Sequence, residues 1–499
     1  MTHVDVDPTR RNMVTVAVIM ATILTAIAST IANVVLPQIR GSTGAAQTQI
    51  GWVLTSFILA GVIVTPALGW LESVLGRRRL LLIALAGFGG ASILCGLAHG
   101  IYDLVLYRLV QGAFAAVFVP VSQAILLDIN PPERHGRAMS VWGMGAVLGP
   151  IVGPVLGGWL SEHFSWQWVF FMNIPVVVMA FFMVSNALPK DAPRTPLRFD
   201  AFGFAAIALG MIGFQLLLDR GPSQEWFASP EVCIEAGMAA LGIYIFFVHT
   251  FTTQHAIFNR RIWADRNFLT AVVMIVFIGI LMFAGMAVLP TMLQTLLGYP
   301  VLHAGFVQLP RGVGTLISMF LVGRLVGRVD SRLIVLVGIG LTALSYYIMS
   351  LFSLEMDERL VVYSGLVQGL GLGLIFVPLS TLAFRTIAPH LRTEAASLFT
   401  LTRNIGSSIG ISLVGALQIV NTKTVQEQLV EHVTPENPVA SGAVNFDSTQ
   451  ALAQLNAAIV RQATMVAYID SFHMLFLMCL AIAPLILFMN VKSKSPAHA

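Results

Sequence analysis

Three arginines, Arg108, Arg311 and Arg403, stand in stretches that are otherwise almost wholly apolar. A guanidinium at membrane depth is costly unless it faces a cavity or a partner, so each marks a place where charge is recognised or backbone carbonyls are held. Arginine suits both tasks, because its planar fork binds two acceptor atoms at once. A second feature is a run of small residues and prolines comprising Gly145, Gly149, Pro150, Gly153, Pro154, Gly157 and Gly158. The glycines at 145, 149, 153 and 157 recur every four residues, which on a helix makes one smooth stripe for close approach of a neighbour. A third is the segment Glu72 to Arg79, with Gly69, Gly76 and Arg77, which places charge at the end of an apolar run. Asp128 stands at the end of another run.

The chemistry these residues exclude is as informative. No GxxxxGK[ST] loop occurs, and none of the four lysines follows such a pattern, so ATP is not the energy source of this chain alone. No TVGYG filter is present either. The eleven histidines form no cluster with acids inside the apolar runs, which argues against a membrane-embedded enzyme. Cys95, Cys233 and Cys479 all fall in apolar runs and indicate neither a disulfide framework nor a metal site. No cofactor is implied.

The elements that must position these residues are membrane helices. Of 499 residues, 57% are hydrophobic and 10% charged, against roughly a quarter charged in a soluble protein. The apolar residues come in runs of about 20, enough to cross a hydrocarbon core of about 30 Å. We place fourteen spans near 13–36, 50–72, 79–98, 101–127, 138–161, 167–188, 201–219, 231–250, 268–290, 304–326, 333–352, 359–385, 396–420 and 467–490. The first run is too long for a cleaved signal peptide. With the N-terminus in the cytoplasm, 20 of the 28 Lys and Arg residues fall in inside segments, so both termini are expected there. The net charge of +4 is spread over these ends rather than gathered in one patch, which gives no nucleic-acid surface. The surrounding partner is the lipid bilayer.

Internal echoes indicate duplication. Val110-Gln111-Gly112, followed by Pro120 and Pro131, recurs as Val367-Gln368-Gly369, followed by Pro378 and Pro389, so span 4 resembles span 12. Gly69, Leu71 and Arg78 recur as Gly323, Leu325 and Arg332, relating span 2 to span 10. Both repeats keep one orientation, which suggests two similar six-helix halves with spans 7 and 8 inserted between them. The expected organisation is a cytoplasmic N-terminus over 1–12, a first bundle over 13–189, a linker with two extra helices over 190–265, and a second bundle over 266–499. The second bundle carries an outside loop over 421–466, with Pro435 and Pro438 between two polar helical arms.

The residues of span 4 from Tyr107 to Gly112, with Arg108 and Gln111, and the glycine-proline run of span 5 resemble the arginine and antiporter motifs of the major facilitator superfamily. With Ser29 to Val34 in span 1, Trp166 to Pro175, and Leu217 to Gly221, the chain is similar to its 14-span drug:proton antiporters, the EmrB type. The resemblance implies an all-α polytopic bundle in a bacterial inner membrane and secondary export of hydrophobic or amphipathic molecules in exchange for protons. It also implies a periplasmic adaptor and outer-membrane channel as partners, as for some relatives in double-membraned bacteria. A facilitator or importer of the same fold is the alternative.

For the site, the resemblance implies that span 1 carries an aspartate just before its Ser/Thr-Thr-Ile group, where this chain has Ala28, followed by Thr30 and Asn33. Position 28 lies roughly 12 Å below the outer end of span 1, close to the depth of Arg108. It further implies that the glycine stripe is a seam between the halves that resists leak, whereas the residues alone require only a tight helix contact. Finally, Gly69, Glu72, Gly76, Arg77 and Asp128 are implied to form a cytoplasmic gate, although Ser73 and Val74 replace the motif's usual aspartate and arginine.

Overall fold

The computed structural model describes residues 7–189, 198–253, 256–326, 328–433 and 448–489. The expectations for residues 1–6, the linker stretch 190–197, and the middle of the outside loop with Pro435 and Pro438 therefore lie outside the described residues, as do the side chains of Asn33 and Pro154. Among the described residues, fourteen helices are long and apolar enough to cross a membrane. They are α1 (Pro8–Thr43), α2 (Trp52–Leu75), α3 (Arg77–Gly96), α4 (Ile101–Ile129), α5 (His135–His163), α6 (Trp168–Ala187) and α7 (Ala201–Arg220). The rest are α8 (Pro230–Thr252), α9 (Arg266–Leu296), α10 (His303–Leu325), α11 (Ser331–Met349), α12 (Glu358–Arg385), α13 (Pro389–Glu431) and α14 (Thr449–Phe488).

Every expected span is present, and α13 and α14 run well beyond theirs. Their extensions are the two polar arms, and Asn421 Nδ2 donates to Asp470 Oδ2 at 3.1 Å near their base. The interruptions within helices follow the prolines. α2 passes through a 3-10 turn at Thr65–Ala67, around Pro66. α4 breaks between Ala115 and Phe118, where Pro120 supplies no N–H to the carbonyl four residues earlier. Gly76 joins α2 to α3 with φ +75°, a left-handed conformation that glycine adopts without steric cost, and its N–H caps the Glu72 carbonyl at 2.8 Å.

Packing repeats between the two halves. In the first, α1 lies on α5, α2 on α4, and α3 on α4; in the second, α9 lies on α13, α10 on α12, and α11 on α12. Glycines permit the closest of these crossings, Gly112 meeting the Phe57 carbonyl and Gly369 the Arg311 carbonyl. The pair α7–α8 is clamped by Gly210, Gly213 and Gly242. α7 then touches both halves, through Thr55 Oγ1 donating to Asp219 on the α2 side and Ser408 Oγ donating to Gln215 Oε1 at 2.8 Å on the α13 side. The halves meet where α5 packs on α10 and α12, with Trp142 stacked on Phe376 at 6.1 Å between ring centres, and where α4 packs on α13.

Candidate functional site

Arg108 is 1% exposed and its fork is fully committed inside the first half. Nε donates to the Val53 carbonyl at 3.1 Å, one terminal nitrogen to Gln111 Oε1 at 2.8 Å, and the other to the Ala28 carbonyl at 3.2 Å. The Phe57 ring lies 4.2 Å from the guanidinium carbon and supplies an electron-rich face. Gln111 is held in turn by donating to Ser92 Oγ at 2.8 Å. Position 28 is thus at the arginine, as depth predicted, but it contributes its backbone. The fork ties α1, α2 and α4 together.

Arg311 plays the matching part in the second half. It is 8% exposed and donates to the Met282 carbonyl of α9 at 3.2 Å. The offset of 254 between α2 and α10 places Arg311 where the first half has Phe57, and the offset of 257 between α4 and α12 places Gly365 where the first half has Arg108. Gly365 accordingly leaves the space beside the Arg311 stem, a Cβ there lying 3.6 Å from Arg311 Cβ. The arginine has changed helices while the carbonyl it reaches still comes from the first helix of its half. Arg108 and Arg311 are each hydrogen-bonded within their own half, Arg108 to two carbonyls and Gln111, Arg311 to one carbonyl.

Arg403 differs. It lies on α13, part-buried, and makes no hydrogen bond or ion pair among the described residues, with its Nε shielded from solvent. α13 crosses α9 closely there, since a Cβ on Gly279 would lie 2.5 Å from the Arg403 carbonyl oxygen. Of the three arginines it alone retains its full hydrogen-bonding capacity.

The glycine stripe of α5 is a tight contact with α1. Gly145 meets Ile19, Gly149 meets Ala26, Gly153 meets Thr30 Oγ1, and Gly157 meets Ile31. The implied seam between the halves is corrected accordingly: the stripe is internal to the first half, and a different face of α5, with Gly136, Ser140 and Gly143, meets Val326, Gly323 and Met319 of the second. The same geometry recurs in α13, where Gly406 and Gly410 meet Val276 and Ile280 of α9. Thr30 bonds back to the Ala26 carbonyl at 2.9 Å and packs in this contact, while Pro150 and Gly158 are half-buried on flanking faces.

At the arginine-rich end the expected charge cluster is assembled and is larger than the sequence suggested. Arg77 pairs with Glu72 at 2.7 Å and with Asp128. Asp128 also binds Arg392 of α13, whose guanidinium donates to the Leu127 carbonyl at 3.1 Å. One carboxylate so bridges an arginine from each half. Gly69 abuts the Glu394 side chain, again across the halves. Arg392 and Glu394 were missed by motif reading. Their sequence context carries no motif, both lying just after Pro389 where the span 4 echo ends.

A duplicated bundle of membrane-length helices, with glycine-sealed crossings and an ion-pair bridge joining the halves at one end, defines a multi-pass transporter fold. The Major Facilitator Superfamily profile matches residues 18–411, and the chain belongs to that family. It is 32% identical over 437 residues to the Haemophilus influenzae multidrug export protein EmrB, covering 86% of this chain and 84% of that protein. It is also 32% identical over 426 residues to the Neisseria gonorrhoeae fatty acid resistance protein FarB, covering 85% and 83%. Among solved structures, the human organic anion transporter MFSD10 (TETRAN) superposes with a TM-score of 0.61 at 14% identity, covering 95% of this chain and all of that one.

Proposed function

We propose that the protein exports amphipathic small molecules, acids among them, in exchange for protons. Residues 13–189 and 266–499 act as the two halves, and 190–265 as a linker whose helix α7 touches both, with α8 packed on α7. The observation that carries this reading is the Arg77–Asp128–Arg392 bridge, because ion pairs between rigid halves at one end are what a reversible gate requires. The arginine excess supports that end, with both termini, lying in the cytoplasm, in a bacterial inner membrane as for the relatives. The long arms of α13 and α14 then project outside, where they suit an adaptor leading to an outer-membrane channel.

Substrate charge is set by Arg403. At about 4 Å and an effective dielectric of about 20, a unit charge facing it is worth about 4 kcal/mol before desolvation, enough to favour anions over cations. The name of one relative, a fatty acid resistance protein, fits that preference. The test is efflux from membrane vesicles for a panel of lipophilic acids, neutral compounds and quaternary ammonium dyes, with the pH gradient imposed or collapsed. Acid export that stops with the gradient and is lost selectively in Arg403→Gln supports the reading. Equal export of all classes by both proteins, with or without the gradient, refutes it.

A further inference from the structure

Glu394 is 8% exposed and stands in the first turn of α13 at the arginine-rich end. Three separate parts of the chain close around its carboxyl. Gly69 of α2 lies against its methylenes, and a side chain there would collide with them. The backbone N–H of Asn259, in the connection from α8 to α9, donates to Oε2 at 3.2 Å. α13 itself supplies the third wall. Glu394 therefore sits where the first half, the inserted pair and the second half converge.

The charged and titratable groups near it are Glu72 of α2, Arg77 of α3, Asp128 of α4, His135 of α5 beside Asp128 and Arg392, and His390 and Arg392 on its own helix, with Arg260 and Arg261 following Asn259 in sequence. Arg77 is engaged by Glu72 and Asp128, Arg392 by Asp128 and the Leu127 carbonyl, and Arg260 by the Thr250 and Thr253 carbonyls. No cation pairs with Glu394 among the described residues, and its one hydrogen bond comes from Asn259. The amino end of α13 favours the anion, but only as a partial charge near a terminus. Exclusion from water and the nearby Glu72 carboxylate oppose it, so the shielded carboxyl with its single donor holds a proton more tightly than one in water.

We propose that Glu394 is a proton-binding site of the gate. Closure at the arginine-rich end takes up one proton there, and opening, which draws Gly69 and Asn259 away from α13, returns the carboxyl to water and releases it. The sign follows from the burial: the carboxyl holds its proton more tightly in the closed form, so closure is favoured at low pH on that side and lost as pH rises. This deepens the export reading by giving its gate a regulation, and it rests on that reading only for the assumption that this end opens.

The test is a distance measurement across the gate in the full chain in lipid nanodiscs, by spin labels at V74C and V329C, both at exposed positions, with exposed Cys233 replaced by serine. The closed-to-open ratio is expected to fall by up to about tenfold per pH unit through the titration, the limit for one linked proton. Glu394→Gln should stay mostly closed at every pH and lose that slope. Glu394→Asp, whose shorter side chain withdraws from Gly69 and Asn259 and closes the pocket less completely, should keep the slope and move the midpoint to lower pH. A Glu394→Gln curve that follows the unsubstituted protein overturns the proposal, as does an unmoved midpoint in Glu394→Asp should the glutamine variant fail to fold. Vesicles that export nothing while the gate still titrates through Glu394 sink the export reading and leave this site standing.

Discussion

Arg108→Lys separates the arginine's geometry from its charge. The guanidinium makes three hydrogen bonds to acceptors on α1, α2 and α4, at 2.8 to 3.2 Å, and lies over the Phe57 ring. A lysine ammonium at this site keeps the charge but reaches one of these acceptors, because the three lie around a planar fork rather than a point. Two charge-assisted hydrogen bonds are then lost at about 1.5–3 kcal/mol each, roughly 3–6 kcal/mol in total. At about 1.4 kcal/mol per factor of ten, even the lower figure reduces the population of the correctly tied α1–α2–α4 arrangement by about a hundredfold. The assay is the initial efflux rate per folded protein in vesicles, with the melting temperature in detergent measured alongside. Arg108→Lys should lose transport by at least about tenfold and melt earlier. Arg311→Lys, whose single carbonyl acceptor an ammonium can still reach, should do both to a smaller extent. An Arg108→Lys protein with the original rate and melting temperature would refute the role assigned to the fork.

The remaining predictions concern the helix contact, the gate and position 28. Gly153→Leu places a side chain where even a Cβ would lie 2.7 Å from Thr30 Oγ1, so it should lower the melting temperature and the yield of folded protein. Normal yield with a specific transport block would show instead that the stripe acts only during the cycle. Asp128→Asn removes the negative centre shared by Arg77 and Arg392, and cross-gate spin-label distances should lengthen; an unchanged distribution would mean that the bridge does not hold the halves. Ala28→Asp puts a carboxylate beside Arg108 and should shift the pH dependence of efflux, since position 28 already touches that arginine through its carbonyl. An unaltered pH profile would rule out proton coupling through this pair.

Hydropathy made the spans legible because a bilayer imposes length and composition on each crossing independently of its neighbours. The Arg77–Asp128 pair was legible through the family's charge cluster rather than from the charges themselves, since many other arginines stand at the same end of the bundle. What a helix faces is harder to read. The spacing of Gly145, Gly149, Gly153 and Gly157 announces a close approach, but several neighbours are equally apolar, and α1 rather than the other half proved to be the partner. The acceptors of Arg108 and Arg311 were hidden because carbonyls exist at every position of every span. The exchange of Arg311 for Phe57, and of Gly365 for Arg108, can be read from the two repeat offsets only when both are applied together. Glu394 was overlooked because acids near span ends are usually solvated, and only the three-way closure around Gly69 and Asn259 buries this one.

The central claim, export coupled to protons through a gated pair of halves, is tested most directly by substrate-driven proton movement in proteoliposomes of the purified chain. With a lipophilic acid loaded on one side, an impermeant pH dye inside and no imposed pH gradient, the outward substrate gradient should drive protons inward. Arg108→Lys should abolish the dye response, and protein-free liposomes give the background from the acid's own permeation. Substrate efflux above that background with no accompanying proton movement would contradict the account and leave an uncoupled facilitator in its place.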